Sequence, residues 1–198
     1  MSEYKLVLAS NSPRRRELLT NSGLSFISDP ADVDESVLPG EEPGVYAVRL
    51  ALAKAVKTSY RHKDGVVLGA DTIVVVDGEI LGKPASPDDA RRMIASIAGR
   101  EHEVLTGVAL VDIAPGRRVT GLESTRVRLR GLSAREMDAY VATGEPLDKA
   151  GGYGIQGRAA FFVTGITGCY FNVVGLPLAR LAALAVELGR PLPYLEFG

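Results

Sequence analysis

Asp71 stands in the middle of an apolar run, Val66–Val76 (VVLGADTIVVV). A carboxylate in such a run loses its water and is costly unless a cation or hydrogen-bond donors compensate it. Its neighbours Gly69, Ala70 and Thr72 are small enough to let another group come close. Two kinds of residue fit this pattern. One is an aspartate satisfied within the core, capping a turn or paired with an arginine. The other is a carboxylate that binds a divalent cation and orients or deprotonates a water.

Four other stretches carry groups suited to the second kind. In Ser10-Asn11-Ser12-Pro13-Arg14-Arg15 an apolar strand stops and a helix opens with two arginines in its first turn. A helix N-terminus presents unpaired N–H groups and partial positive charge, so added cations are unfavourable there unless an anion lies between them. That combination is what a phosphate site requires. The plainer alternative is a capped surface helix with solvated arginines. An acidic segment over residues 29–42 carries Glu35, and Lys54 follows on the next helix between two alanines. Gly82-Lys83-Pro84 comes just after the strand that returns from Asp71. It is no Walker A loop, because Pro84 follows the lysine where a serine or threonine is required. The last stretch, Leu147–Gly157 (LDKAGGYGIQG), allows close backbone approach at its glycines. It also offers Lys149 to a phosphate and Gln156, whose amide both donates and accepts, to a base edge. Tyr153 and Ile155 within it argue for a loop folded onto the body rather than a free surface loop.

The elements that would position these groups are legible in the hydrophobic pattern. A strand is expected over Tyr4–Ala9, then a helix from Pro13 to about Gly23 with Ser12 as its N-cap. A short strand over Ser25–Ser28 precedes the acidic loop. A helix runs from Pro43 to about Arg61, with Tyr46, Leu50, Ala53 and Val56 at helical spacing. Val66–Val76 reads as a buried strand, Asp77-Gly78 as a tight turn and Glu79–Leu81 as its hairpin partner. A helix over Pro87–Ala98 follows, then a long hairpin of Glu103–Ile113 and Val119–Arg130. A capping-box helix spans Ser133–Thr143, with Ser133 and Glu136 as its signature. Strands are expected at Ala160–Ile166 and Asn172–Val174, and a closing helix over Pro177–Leu188. This predicts an α/β chain: a mixed twisted sheet with flanking helices, forming a single domain over residues 1–198 that is built of two lobes.

Composition excludes several classes. The chain has 198 residues, 46% of them hydrophobic and 24% charged, which makes it globular rather than disordered. Its net charge of −1 argues against broad nucleic-acid or membrane-surface binding. No apolar run is long enough to span a bilayer, and the N-terminus has no basic region of the signal-peptide kind. A single cysteine, Cys169, fits a reducing compartment and hence a cytoplasmic location. His62 and His102 have no ligand-like spacing to it, so a zinc site is not expected. Of the 23 basic residues only six are lysines, and Lys54, Lys83 and Lys149 are three of them.

Taken together, LASNSPRR, GADTIVVVDGEILGKP, GREHEVLTGVAL, GEPLDKAGGYGIQG and NVVGLPL resemble the Maf family of nucleoside triphosphate pyrophosphatases. The resemblance runs from about Leu6 to Leu178. It implies a fold like the inosine triphosphate pyrophosphatases, with a cleft between the two lobes, and a homodimer. It further implies hydrolysis of a nucleoside triphosphate to the monophosphate and pyrophosphate with Mg²⁺ or Mn²⁺. The base would be Asp71, and Ser10, Arg15, Glu35, Lys54 and Lys83 would serve the phosphates and the metal, Glu35 and Asp71 as metal ligands. The triad Arg14, Thr72 and Gln156 resembles the branch acting on dTTP and UTP, with modified pyrimidine triphosphates as further substrates. Two alternatives stay open: a 7-methyl-GTP pyrophosphatase, and a non-catalytic nucleotide-sensing regulator of cell division.

Overall fold

A computed structural model describes residues 5–193. Tyr4, the first residue of the expected opening strand, lies outside them. The described chain contains seven strands and six α-helices: β1 (Leu6–Leu8), α1 (Pro13–Asn21), β2 (Ile27–Ser28), α2 (Pro43–Ser59), β3 (Val66–Val76), β4 (Glu79–Leu81), α3 (Pro87–Ile97), β5 (Glu101–Asp112), β6 (Arg117–Leu129), α4 (Ala134–Val141), β7 (Val163–Thr167), α5 (Tyr170–Val174) and α6 (Leu178–Leu188). The strands form one sheet in the order β2-β1-β3-β5-β6-β7, with β4 paired to β3. β1 runs parallel to both β2 and β3, whereas β3–β4 and β6–β7 are antiparallel, so the sheet is mixed as expected.

The helix starts follow local chemistry. Ser12, Ser86 and Ser133 each accept a hydrogen bond from a backbone N–H of the first turn. Pro13 and Pro87 occupy early positions where no N–H is needed. Ser133 and Glu136 form the full reciprocal capping box. The hairpin turn after β3 places Asp77 at φ 52° and Gly78 at φ 81°, a pair of left-handed residues that suits the twist of the flanking strands.

Two compact units divide the chain. One comprises the described residues through Asp71, Thr106–Glu123 and those from Gly175 on; the other comprises Thr72–Leu105 and Ser124–Val174. Each has its own core. In the first, Val7, Ala9, Ala51, Ala55, Val67, Ala109 and Val111 pack together. These are small and branched residues, and α2 consequently lies very close to the sheet. In the second, Val74, Met93, Ile94, Ile97, Val127, Leu129, Tyr140, Tyr153 and Phe162 form a larger-residue core.

Two expectations are corrected. Asn172–Val174 is not a strand but part of α5, where the Asn172 amide is spent on anchoring, donating to the Val104 carbonyl at 2.9 Å and to Thr125 Oγ1 at 3.0 Å. The strand placed at Ala160–Ile166 starts later, at Val163, because Arg158–Phe162 coils into a 3-10 turn that buries Ala159 and Phe162.

A histidine is buried against Tyr153 of the second core. His102 is 3% exposed, and its Nε2 shares a 2.8 Å hydrogen bond with the Tyr153 hydroxyl. Burial disfavours the imidazolium and pushes the pKa from 6.5 down to about 4. The unfolded chain takes up this proton near its ordinary pKa, and the native chain does so only near 4. Stability is therefore intact above pH 6.5 and falls as the pH is lowered through that window, by up to about 3 kcal/mol. Urea titrations at pH 7 and pH 4.5 check this. The wild-type chain should lose more stability between them than His102→Gln, and equal losses would sink the assignment.

Candidate functional site

Asp71 ends its unit at the middle of β3, 8% exposed. The cost of its burial is met by Lys54 of α2. The ammonium Nζ lies 2.6 Å from Asp71 Oδ1 and 2.6 Å from Glu35 Oε1. The Lys54 and Asp71 side chains are 12% and 11% exposed, whereas Glu35 is 55% exposed. One cation thus joins a buried and a wet carboxylate. The close approach expected beside Asp71 is present at Gly69. What approaches there is α2 itself: a Cβ on Gly69 would fall 2.0 Å from the Ala51 carbonyl oxygen. Close helix approach at Gly69, and again at Gly107 against Ala47, brings the α2 backbone down to the strands.

The acidic loop is held over this pair by α2 and the residues just after it. Tyr46 donates its hydroxyl to the Glu35 carbonyl at 2.8 Å. Arg49 clamps Glu41 with two hydrogen bonds, at 2.5 and 2.7 Å, and reaches the Ser36 carbonyl at 2.9 Å. Lys57 bonds the Asp32 carbonyl, and Arg61 and His62 both meet Asp29. Sequence reading missed Tyr46, Arg49 and Glu41 as loop holders. The spacing of Tyr46, Arg49 and Lys57 on one helical face was the available signal.

At the start of α1 the Arg15 guanidinium is buried. Its Nη1 donates to Ser10 Oγ at 3.1 Å and its Nε to the Gly175 carbonyl at 2.8 Å. Burial lowers its pKa, Asp71 and Glu35 pull it back up, and Arg14 lowers it further. Arginine stays protonated throughout. The same two carboxylates, after burial, raise the Tyr46 hydroxyl pKa. Ser10, Arg14, Arg15, Glu35, Lys54 and Asp71 therefore share one unit, with three cationic and two acidic side chains among them.

Thr72, Lys83, Lys149 and Gln156 belong to the other unit. Thr72 is half-buried in β3, and Lys83 is exposed next to Gly82, whose carbonyl accepts from the Gly151 N–H at 3.0 Å. Lys149 donates to the Glu145 carbonyl and to Asp148, both at 2.6 Å, and so fastens its own turn. Gln156 is exposed. A shallow pocket of about 210 Å³ in this unit is lined by Val76, Asp77, Glu101, His102 and Arg126. Asp77 there pairs with Arg100 and Glu101 with Arg126, and the pocket holds none of the site residues.

Among the described residues no group of three or more His, Cys, Asp or Glu is placed to hold a metal ion. The donor set at Asp71 and Glu35 nevertheless fits Mg²⁺. Two hard carboxylates that already converge on one cation, with phosphate oxygens and waters to complete the shell, are the usual protein share of a magnesium site. No helix among the described residues is long and apolar enough to cross a membrane.

The structure is thus an α/β protein with a mixed sheet flanked by helices, and it places a lysine-bridged carboxylate pair in the same unit as a buried arginine at a helix start. The profile described as "Maf-like protein" matches residues 5–188, and the chain belongs to that family. A Symbiobacterium thermophilum protein named dTTP/UTP pyrophosphatase is 50% identical over 188 residues, 95% of this chain and 96% of that protein. One from Moorella thermoacetica with the same name is 53% identical over 93% of this chain and 95% of its own. Among solved structures, the Ham1 protein of Staphylococcus aureus overlaps 63% of this chain and 71% of its own at 13% identity, with TM-score 0.44.

Proposed function

We propose that this chain is a nucleoside triphosphate pyrophosphatase acting on dTTP and UTP, in the cytoplasm, as a homodimer. Modified pyrimidine triphosphates fall within the same specificity. The observation that carries the reading is the Lys54 ammonium held between Asp71 and Glu35 at 2.6 Å from each. Relatives named dTTP/UTP pyrophosphatase, matched over nearly their whole length, support the choice of substrate.

Cleavage between the α- and β-phosphates needs positioning and charge neutralisation more than covalent chemistry. Arg15, with Ser10 and the amides at the start of α1, would grip phosphate oxygens. Lys83 would serve as a second phosphate cation. Lys149 belongs to the same set only if its ammonium leaves Asp148. Asp71 would take the proton of the attacking water, with Lys54 fixing the direction of its carboxylate. Asp71 and Glu35 would hold Mg²⁺ or Mn²⁺, which when bound supplies charge neutralisation at the phosphate. Arg14, Thr72 and Gln156 would select the base. Thymine and uracil place an N3–H donor beside carbonyl acceptors, which one amide can match; cytosine has an acceptor at that nitrogen.

A panel of triphosphates with Mg²⁺, read as pyrophosphate release, tests the reading. dTTP and UTP should exceed dCTP, dGTP and 7-methyl-GTP by about tenfold or more in kcat/KM. A preference for 7-methyl-GTP would overturn the substrate, and tight binding without release would overturn the enzyme.

A further inference from the structure

Gln156 lies in the tight turn Gly154-Ile155-Gln156-Gly157, closed by the Gly157 N–H donating to the Gly154 carbonyl at 3.0 Å. That bond alone does not fix how the turn is presented. Both of its ends are fastened to one pair of side chains. The Gly154 N–H donates to Tyr140 Oη at 3.3 Å, and the Arg158 N–H donates to Glu145 Oε2 at 3.0 Å. Between them the Tyr140 hydroxyl donates to Glu145 Oε1 at 3.0 Å. The carboxylate therefore accepts at both oxygens and completes a ring of hydrogen bonds around the turn.

The pair is itself fixed. Tyr140 is 3% exposed and packs edge-on against Phe162 with ring centroids 5.2 Å apart. The Glu145 N–H donates to Thr143 Oγ1 at 3.1 Å, and its carbonyl accepts from Lys149 Nζ. Contact is close: a Cβ on Gly157 would fall 2.2 Å from Glu145 Oε1. The turn is thus held in one arrangement before any ligand arrives, which is the condition for reading a base edge without an ordering cost.

We propose that Glu145 is a positioning residue for base selection: acting through Tyr140 and the Arg158 amide, it holds the 154–157 turn so that Gln156 meets the pyrimidine edge. Glu145 does not touch the nucleotide. The inference rests on the reading of Gln156 as base reader. Glu145→Gln opens the ring. Its single amide oxygen can accept from the Tyr140 hydroxyl or from the Arg158 N–H but not from both, so one of the two acceptor contacts that close the ring is lost.

The test is a cycle of Glu145→Gln, Gln156→Ala and the double variant. Readouts are kcat and KM on dTTP and dCTP, with melting temperatures. Glu145→Gln should raise KM for dTTP more than it lowers kcat, and should cut the dTTP-over-dCTP preference about tenfold. In the double variant the preference should fall no further than in Gln156→Ala alone, since the two act through one contact. Additive losses overturn the inference, as does a lowered melting temperature with the preference intact. If Gln156→Ala leaves the preference unchanged, the base-reader assignment fails and takes the inference with it. If only Glu145→Gln leaves it unchanged, the assignment stands and the positioning role falls. Should Glu145→Gln not fold, Tyr140→Phe releases the Gly154 end and is judged by the same outcomes.

Discussion

Asp71→Asn is expected to lower kcat on dTTP by roughly 10³-fold while the protein stays folded. The asparagine has the same shape, and its Oδ1 can still accept from Lys54 Nζ, which lies 2.6 Å away in the native chain. Lys54 also keeps its second carboxylate partner, Glu35. The change therefore removes a negative charge and a proton acceptor without opening a cavity or stranding a cation. On the proposed reading those are the two properties the reaction needs from position 71, one to take the proton from water and one to hold a divalent cation. A loss of that size corresponds to about 4 kcal/mol of transition-state stabilisation. Mn²⁺ affinity, measured without substrate, should weaken in parallel. A variant within tenfold of wild type would remove Asp71 from the chemistry, whatever became of the metal affinity.

The sequence exposed this site because burying a charge leaves a visible mark. Asp71 inside VVLGADTIVVV had to be compensated, and Lys54 was among the cations noted. The starts of α1 and α4 were equally legible, since Ser12 and Ser133 cap by local rules that need no distant partner. Longer-range placement was not. The Tyr46 hydroxyl on the Glu35 carbonyl joins residues whose meeting depends on how the acidic loop folds back. Likewise, Asn172 reads locally as a strand residue, yet its buried amide bonds Val104 and Thr125, far away in sequence. Tertiary hydrogen bonding there overrides a β-favouring string. Glu145 offered no signal beyond its place in GEPLDK, because its role lies in backbone amides it reaches only once the 154–157 turn is formed. A pattern of side-chain types shows what a residue can do; which backbone groups it serves is fixed only by the fold.

Gly69 shows the same division in a residue with no side chain. It stands two positions before Asp71 in β3, and in sequence it marks only a place where something can come near. In the structure that something is backbone. A Cβ at Gly69 would lie 2.0 Å from the Ala51 carbonyl oxygen, 2.9 Å from the Ala55 nitrogen and 3.0 Å from the Ala55 Cβ. No rotamer relieves this, because the obstacles are peptide groups within α2 and not the ends of flexible side chains. Gly69→Ala must lift α2 from the strand, against a core in which Ala51, Ala55, Val67 and Ala109 are packed without slack. The expected destabilisation is about 3 kcal/mol or more, a large part of a typical domain's stability. Urea titration should show it as a lowered midpoint. Gly165→Ala, where an added Cβ meets nothing within 4 Å, should stay within about 0.5 kcal/mol of wild type. Activity should fall beyond the folded fraction, since α2 also carries Lys54, whose contact with Asp71 depends on the helix's approach. Wild-type stability in Gly69→Ala would show that α2 is free to shift. In that case the short distance from Lys54 to Asp71 would owe nothing to the glycine beneath it.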